Sequence, residues 1–129
     1  MLLSQARVTT MLPVKDMNRA RAFYEGKLGF APDGGAKVDG RFEYACGSNA
    51  TIALIPRETG TKAEHTALSF EVRDIAERIR AMEKAGVVFE EYDLPGLKTV
   101  DHVCVLGSEK AAWFRDTEGN YLCLHENAD

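Results

Sequence analysis

The sequence predicts an α+β fold of two tandem βαβββ modules presenting a concave sheet cleft, and three observations lead there. Two short apolar runs, TTMLPV (Thr9 to Val14) and HTALSF (His65 to Phe70), line up as strands, and each leads into an aspartate, Asp16 and Asp74. Each aspartate opens an amphipathic segment, where its carboxylate can accept a free N–H of the first helical turn. Toward the end of each half, GSNATIAL (Gly47 to Leu54) superposes on TEGNYLCL (Thr117 to Leu124), setting Ala53 opposite Cys123. The 129 residues are therefore read as one domain, 1–129, with module one over about 7–57 and module two over about 64–126.

In module one the first strand is followed by a helix over about 16–27, with Met17, Ala20, Phe23, Tyr24 and Leu28 at helical spacing and Gly29 as its stop. Strands follow near Lys37, over Phe42 to Cys46 and over Thr51 to Pro56, separated by turns at PDGG, VDG and GSN. In module two His65 opens the first strand, with Ala67, Ser69 and Glu71 on one face and Leu68 and Phe70 on the other. The second helix, about 74–85, carries Ile75, Ile79 and Met82 and stops at Gly86. Strands are expected over Val87 to Glu91, around Val100 to Leu106, over Ala111 to Arg115 and over Tyr121 to His125. The last two form a hairpin turning at Asp116 to Asn120, where Gly119 supplies a positive φ. The stretch YDLPGLKTVDHVCVLGSEK, which holds His102, is read as a loop over the cleft mouth with a ligand-contacting role.

Composition limits the function classes. Sixteen basic against 20 acidic residues give a net charge of −4 with no Lys/Arg block, which excludes a phosphate-tracking surface and so a nucleic-acid partner. No stretch approaches the roughly 18 apolar residues of a membrane helix, and MLLSQAR is too short an apolar run for a signal peptide, so a soluble cytoplasmic protein is expected. Cys46, Cys104 and Cys123 are odd in number and form no CxxC, which argues for reduced thiols over a disulfide framework or a zinc knuckle.

The order ARVTTMLPVKDMNRARAFYEGKLGF, then HTALSFEV, then AAWFRDTEGNYLCLHE resembles the vicinal oxygen chelate superfamily of glyoxalases, bleomycin-resistance proteins and extradiol dioxygenases, over about Arg7 to Glu126. One departure is Thr117, where the family usually has proline after the aspartate; it costs some turn rigidity. The resemblance implies four metal-ligand positions, commonly His, Glu, His and Glu, one from the first and one from the last strand of each module. They fall here on Thr9, Ala53, His65 and Cys123. Ala53 has no donor and Thr9 only a neutral hydroxyl, so no metal cofactor is expected, the alternative being a divalent ion on an unconventional set of His65, Cys123 and His125. The resemblance also implies a homodimer.

A lone histidine at a strand start is more often a hydrogen-bonded structural side chain than a catalyst, although its pKa suits general acid–base work. Trp113 and Tyr121 are most simply core aromatics and Cys46 and Cys104 small packing residues, while Cys123, if it faces the cleft, is either a packing residue or a reactive thiol. Hairpin pairing about Gly119 nevertheless sets Trp113, Arg115, Tyr121 and Cys123 on one face, which in this family is the concave one. The expected ligand-binding set is Thr9, Met11, Ala53, His65, Ser69, His102, Trp113, Arg115, Tyr121 and Cys123, with His65 as the candidate catalytic residue and no metal site. The function this predicts is metal-free binding of a small, partly aromatic organic ligand. Trp113 and Tyr121 would form stacking walls, and Ser69, His65 and Arg115 polar handles. The alternative is a glyoxalase-, dioxygenase- or isomerase-type enzyme with His65 as general base or metal ligand. A purely structural role is the third reading, because fold alone establishes no activity.

Overall fold

The computed structural model describes residues 2–127 and divides the chain into two compact units, 1–61 and 62–129. In the first, β1 (Val8–Val14) pairs in parallel with β3 (Ala50–Pro56), and β2 (Phe42–Cys46) pairs antiparallel with β3, giving the order β1-β3-β2. Alternation sends Leu12, Val14, Ile52, Leu54 and Tyr44 to the helix side, where they bury against Ala20, Phe23 and Tyr24. Asp16 caps the helix as expected, its carboxylate accepting the Arg19 N–H at 3.0 Å. The helix is not uniform: α1 (Met17–Arg21) widens into a π turn over Ala22–Lys27, with Leu28 N–H reaching Phe23 O and Phe30 N–H reaching Tyr24 O, both at 3.0 Å. Gly26, a poor α-former, lies inside that turn, and Glu25 is held sideways by Arg21 and Tyr44. Gly29 closes it with φ 84°.

The strand expected near Lys37 is absent. A single bridge, Pro32 to Tyr44, runs beside β2 in its place, because Pro32 has no N–H to donate and the glycine turn after it breaks the ladder.

The second unit holds a six-stranded sheet, β4-β9-β8-β7-β6-β5, and one helix, α2 (Ile75–Lys84). Its strands are β4 (Thr66–Glu71), β5 (Asp93–Leu94), β6 (Leu97–Val100), β7 (Val103–Leu106), β8 (Glu109–Arg115) and β9 (Tyr121–Asn127). Only β4 and β9 are parallel. Ile75 and Ile79 of α2 bury on the same side as Phe89, Phe114, Leu122 and Leu124. Two carboxylates hold the start of α2: Asp74 accepts from Glu77 N–H at 3.3 Å and Glu126 of β9 from Ile75 N–H at 2.7 Å.

Two expectations fail here. Val87 to Glu91 forms one bridge, Phe89 to Phe114, rather than a strand, because β7 already occupies the first half of the β8 edge. The loop reading of 92–110 gives way to a meander of three short strands, while the strand expected around Val100 to Leu106 is present as β7 with the end of β6. Pro95-Gly96, with φ 76° at the glycine, turns β5 into β6, and Asp101-His102, with φ 50° and 71°, turns β6 into β7.

Register also corrects the internal repeat. Met11 lies beside Ala53 and Ser69 beside Cys123, so with Ala53 matched to Cys123 the first strands are related by 58 residues, as are the caps Asp16 and Asp74. Before the bulge the counterpart of Thr9 is Thr66, since Thr9 lies beside Thr51 and Thr66 beside Tyr121, so aligning Thr9 with His65 is one residue short. Thr66 pairs with Tyr121 and Leu68 with Leu122, which leaves Ala67 as an extra bulged residue. The bulge resets the alternation, so Thr66, and not His65, shares the face of Ser69, and His65 sits in the bend before β4.

Candidate functional site

The sheet face of the second unit opposite α2 carries Thr66, Ser69 and Glu71 from β4, Tyr121, Cys123 and His125 from β9, and Ala111, Trp113 and Arg115 from β8. At the end of this face nearest the β8–β9 turn lies a concavity of about 310 Å³, lined by Glu64, His65, Thr66, Tyr92, Leu97, Trp113 and Tyr121. Every lining residue belongs to the second unit.

Its walls are fixed by hydrogen bonds. Trp113 Nε1 donates to Thr66 Oγ1 at 3.2 Å, tying the indole to β4. Tyr92 stands 5.9 Å from Trp113, ring centre to ring centre, at 74°. The Tyr92 backbone is held on both sides by buried Thr99, whose Oγ1 accepts the Tyr92 N–H at 2.8 Å and whose N–H donates to Tyr92 O at 2.9 Å. Thr99 Oγ1 also donates to Glu91 at 2.5 Å, the main reason the Glu91 carboxyl lies below its usual pKa. Burial, aided by the nearby Glu90 carboxylate, pushes the Tyr92 phenol up. Arg115 donates to the Tyr121 hydroxyl, places its guanidinium carbon 4.4 Å from the Tyr121 ring centre, and pairs with Glu90 at 3.6 Å.

The rim that carries Glu64 and His65 is anchored by the β8–β9 turn. Asp116 Oδ1 accepts the N–H groups of Glu118 and Asn120, both at 2.9 Å. Asn120, 1% exposed, donates to Asp116 Oδ2 at 3.1 Å and accepts the Ala63 N–H at 2.7 Å. The aspartate-x-x-Gly-Asn sequence therefore does more than turn the chain: it pins the residue next to Glu64. Gly119 has φ 89°, and a Cβ there would lie 3.3 Å from the Lys62 side chain.

Of the expected site residues, His65, Trp113 and Tyr121 line the concavity, and Arg115 braces Tyr121 from beside it. Ser69 and Cys123 are on the same face but outside the lining. Ser69 Oγ is 2.6 Å from His125 Nδ1, and Cys123 is 5% exposed. Thr9, Met11 and Ala53 share a face of the first unit's sheet, Ala53 fully buried, and line no part of the concavity. His102 also lies outside it, in the β6–β7 turn, with its ring nitrogens 3.3 Å from Glu83 and from Glu91. Sequence reasoning missed Glu64, Thr66, Tyr92 and Leu97. The Pro-Gly pair was the available signal for the last two, since it marks a tight hairpin that returns Leu97 toward Tyr92.

The four positions implied for a metal do not fit one. Thr9 and Ala53 lack good donors, and burial holds the Cys123 thiol above its ordinary pKa, opposing the thiolate a metal needs. Among the described residues no three His, Cys, Asp or Glu side chains are grouped so as to hold an ion. None of the helices among them is long and apolar enough to cross a membrane.

The model of the Glyoxalase/Bleomycin resistance protein/Dioxygenase superfamily matches residues 6–124. No curated protein matches. Solved structures do. TnmS3, an antibiotic binding protein from Streptomyces sp. CB03234, is 21% identical with a TM-score of 0.74, over 98% of both chains. A superfamily member from Sphaerobacter thermophilus DSM 20745 is 24% identical with a TM-score of 0.72, over 98% of this chain and all of that one. The genomically encoded fosfomycin resistance protein FosX from Listeria monocytogenes is 16% identical with a TM-score of 0.67, over 98% of this chain and 93% of that one. At these identities the likeness shows the fold.

Proposed function

The chain belongs to the Glyoxalase/Bleomycin resistance protein/Dioxygenase superfamily, and within it we propose a metal-free protein that binds a small, partly aromatic organic molecule. The observation that carries this reading is the concavity of about 310 Å³ with three aromatic walls, Tyr92, Trp113 and Tyr121, and a few polar groups at its rim. That volume and lining suit a small ligand that stacks on aromatic faces and is oriented by hydrogen bonds. TnmS3, similar in fold, binds an antibiotic, which makes sequestration without chemistry a reasonable role. The polar handles are His65 and Thr66 within the lining, with Arg115 supporting Tyr121. The protein acts in the cytoplasm as a homodimer, a state supported by the exposed apolar side chains Leu94, Val100, Val105 and Leu106 at the β5–β7 end of the sheet. Light scattering that returns the monomer mass removes that part.

A screen of metabolites and antibiotics by thermal shift, read with the emission of Trp113, the only tryptophan, tests the binding reading. Trp113→Ala should weaken binding of any hit by roughly tenfold or more, while His65→Ala leaves most of it. The second reading, an enzyme with His65 as general base, is favoured by the placement of His65 in the lining. It replaces the first if the wild type transforms a hit and His65→Ala does not.

A further inference from the structure

We propose that the concavity selects an organic cation, its positive head seated in the corner between Tyr92 and Trp113 and facing the Glu64 carboxylate. This rests on the small-molecule reading above and adds the sign of the ligand's charge. Tyr92 and Trp113 meet at 74° with ring centres 5.9 Å apart, so they form two walls of a corner, and Tyr121 supplies a third aromatic surface in the same lining. Aromatic faces carry the negative part of the ring quadrupole, and several converging on one space attract a desolvated cation most strongly. Tyr121 already makes one such contact, with the Arg115 guanidinium carbon 4.4 Å from its ring centre.

The charges around the corner point the same way. Arg115, which braces Tyr121 from beside the lining, is paired with Glu90 at 3.6 Å and gives a donor to the Tyr121 hydroxyl. Trp113 spends its only donor on Thr66 at 3.2 Å. An anionic ligand would therefore find the Trp113 indole N–H engaged and the Arg115 charge balanced in part by Glu90. Glu64 is the one carboxylate in the lining and makes no ion pair with any described residue. A ligand bearing an ammonium or guanidinium group beside an apolar body satisfies Glu64 and the aromatic faces together, with Leu97 against the apolar part.

The test uses the full chain and three probes that share a phenyl ring and differ in charge: benzyltrimethylammonium, benzyl alcohol and phenylacetate, titrated against Trp113 emission. Benzyltrimethylammonium should bind about tenfold tighter than benzyl alcohol, with phenylacetate the weakest. Glu64→Gln, at an exposed position, should remove most of that advantage and bring the cation close to benzyl alcohol in affinity. If benzyl alcohol or phenylacetate quenches Trp113 at as low a concentration as the cation, charge selection is overturned while the small-molecule reading stands. If the cation binds equally well to wild type, Glu64→Gln and Tyr92→Leu, it binds elsewhere and the proposal is wrong. If no probe moves the emission at millimolar concentration, both the cation proposal and the small-molecule reading of this concavity fail.

Discussion

Asn120→Ala should be among the most damaging single changes to the second unit, because Asn120 serves two partners that water cannot replace. Its side chain donates to Asp116 Oδ2 at 3.1 Å and accepts from Ala63 N–H at 2.7 Å, with Asn120 1% and Asp116 7% exposed. A hydrogen bond to a charged group contributes about 1.5–3 kcal/mol and a neutral one about 1 kcal/mol, so the loss comes to about 3 kcal/mol. With a urea slope of roughly 2 kcal/mol/M for a chain of this size, the unfolding midpoint should fall by roughly 1.5 M with the slope unchanged. Asn127→Ala, which removes only a long, exposed bond to Glu71 at 3.4 Å, is the control and should stay within about 0.5 kcal/mol. The folded variant should also bind ligand less well, because releasing Ala63 loosens Glu64, His65 and Thr66 at the rim. A midpoint shift worth less than about 1 kcal/mol, with binding intact, would refute the claim that this turn anchors the site.

Glu25 accepts from Arg21 Nε and from the Tyr44 hydroxyl, both at 2.7 Å; the Arg21 bond is the main reason its carboxyl lies below its usual pKa. A lowered folded pKa stabilises at pH above the unfolded value and is lost as pH falls through the folded one. Glu25→Gln should therefore cost about 1–2 kcal/mol at pH 7 in urea melts, with the gap closing toward pH 3; a gap constant across that range contradicts the assignment. Cys123 is buried and its thiol is raised by that burial, so iodoacetamide at neutral pH should label it at least about a hundredfold more slowly than the unfolded chain. Rapid native-state labelling followed by mass spectrometry would restore Cys123 as a reactive group.

What was legible in the sequence follows from how far each signal reaches along the chain. Asp16, Asp74, Gly29, Gly86 and Gly119 carry local backbone chemistry, and each holds the place its residue type implied. Strands β8 and β9 were legible because their alternation is unbroken through Ala111 to Arg115 and Tyr121 to His125, which put Trp113, Arg115 and Tyr121 on one face. Lys37 was misread because Pro32 and the glycine turn after it break the ladder beside β2, and Val87 to Glu91 because pairing there depends on a free strand edge, which no local pattern reports. Tyr92 was missed for a similar reason. Its place is set by Thr99, seven residues on, through a hairpin that had been read as loop.

His65 was misplaced by one residue's worth of pairing, and that error yields a sharp test. Period-two alternation without a bulge puts His65, Ala67 and Ser69 on one face; the observed ladder makes Ala67 extra and puts Thr66 with Ser69. Deleting Ala67 should therefore leave both flanking pairs, Thr66 with Tyr121 and Leu68 with Leu122, in register, and the protein should stay folded at a cost of about 1 kcal/mol. Were the strand regular, the same deletion would turn Leu68 and Phe70 away from the α2 side relative to everything before them. Exposing two such side chains costs roughly 1.5–3 kcal/mol each. Urea melts separate the two outcomes, and Trp113 emission gives a second reading. With the bulge as assigned, the Trp113 bond to Thr66 survives the deletion and the emission maximum holds; a large loss of stability with red-shifted emission would return His65 to the strand face.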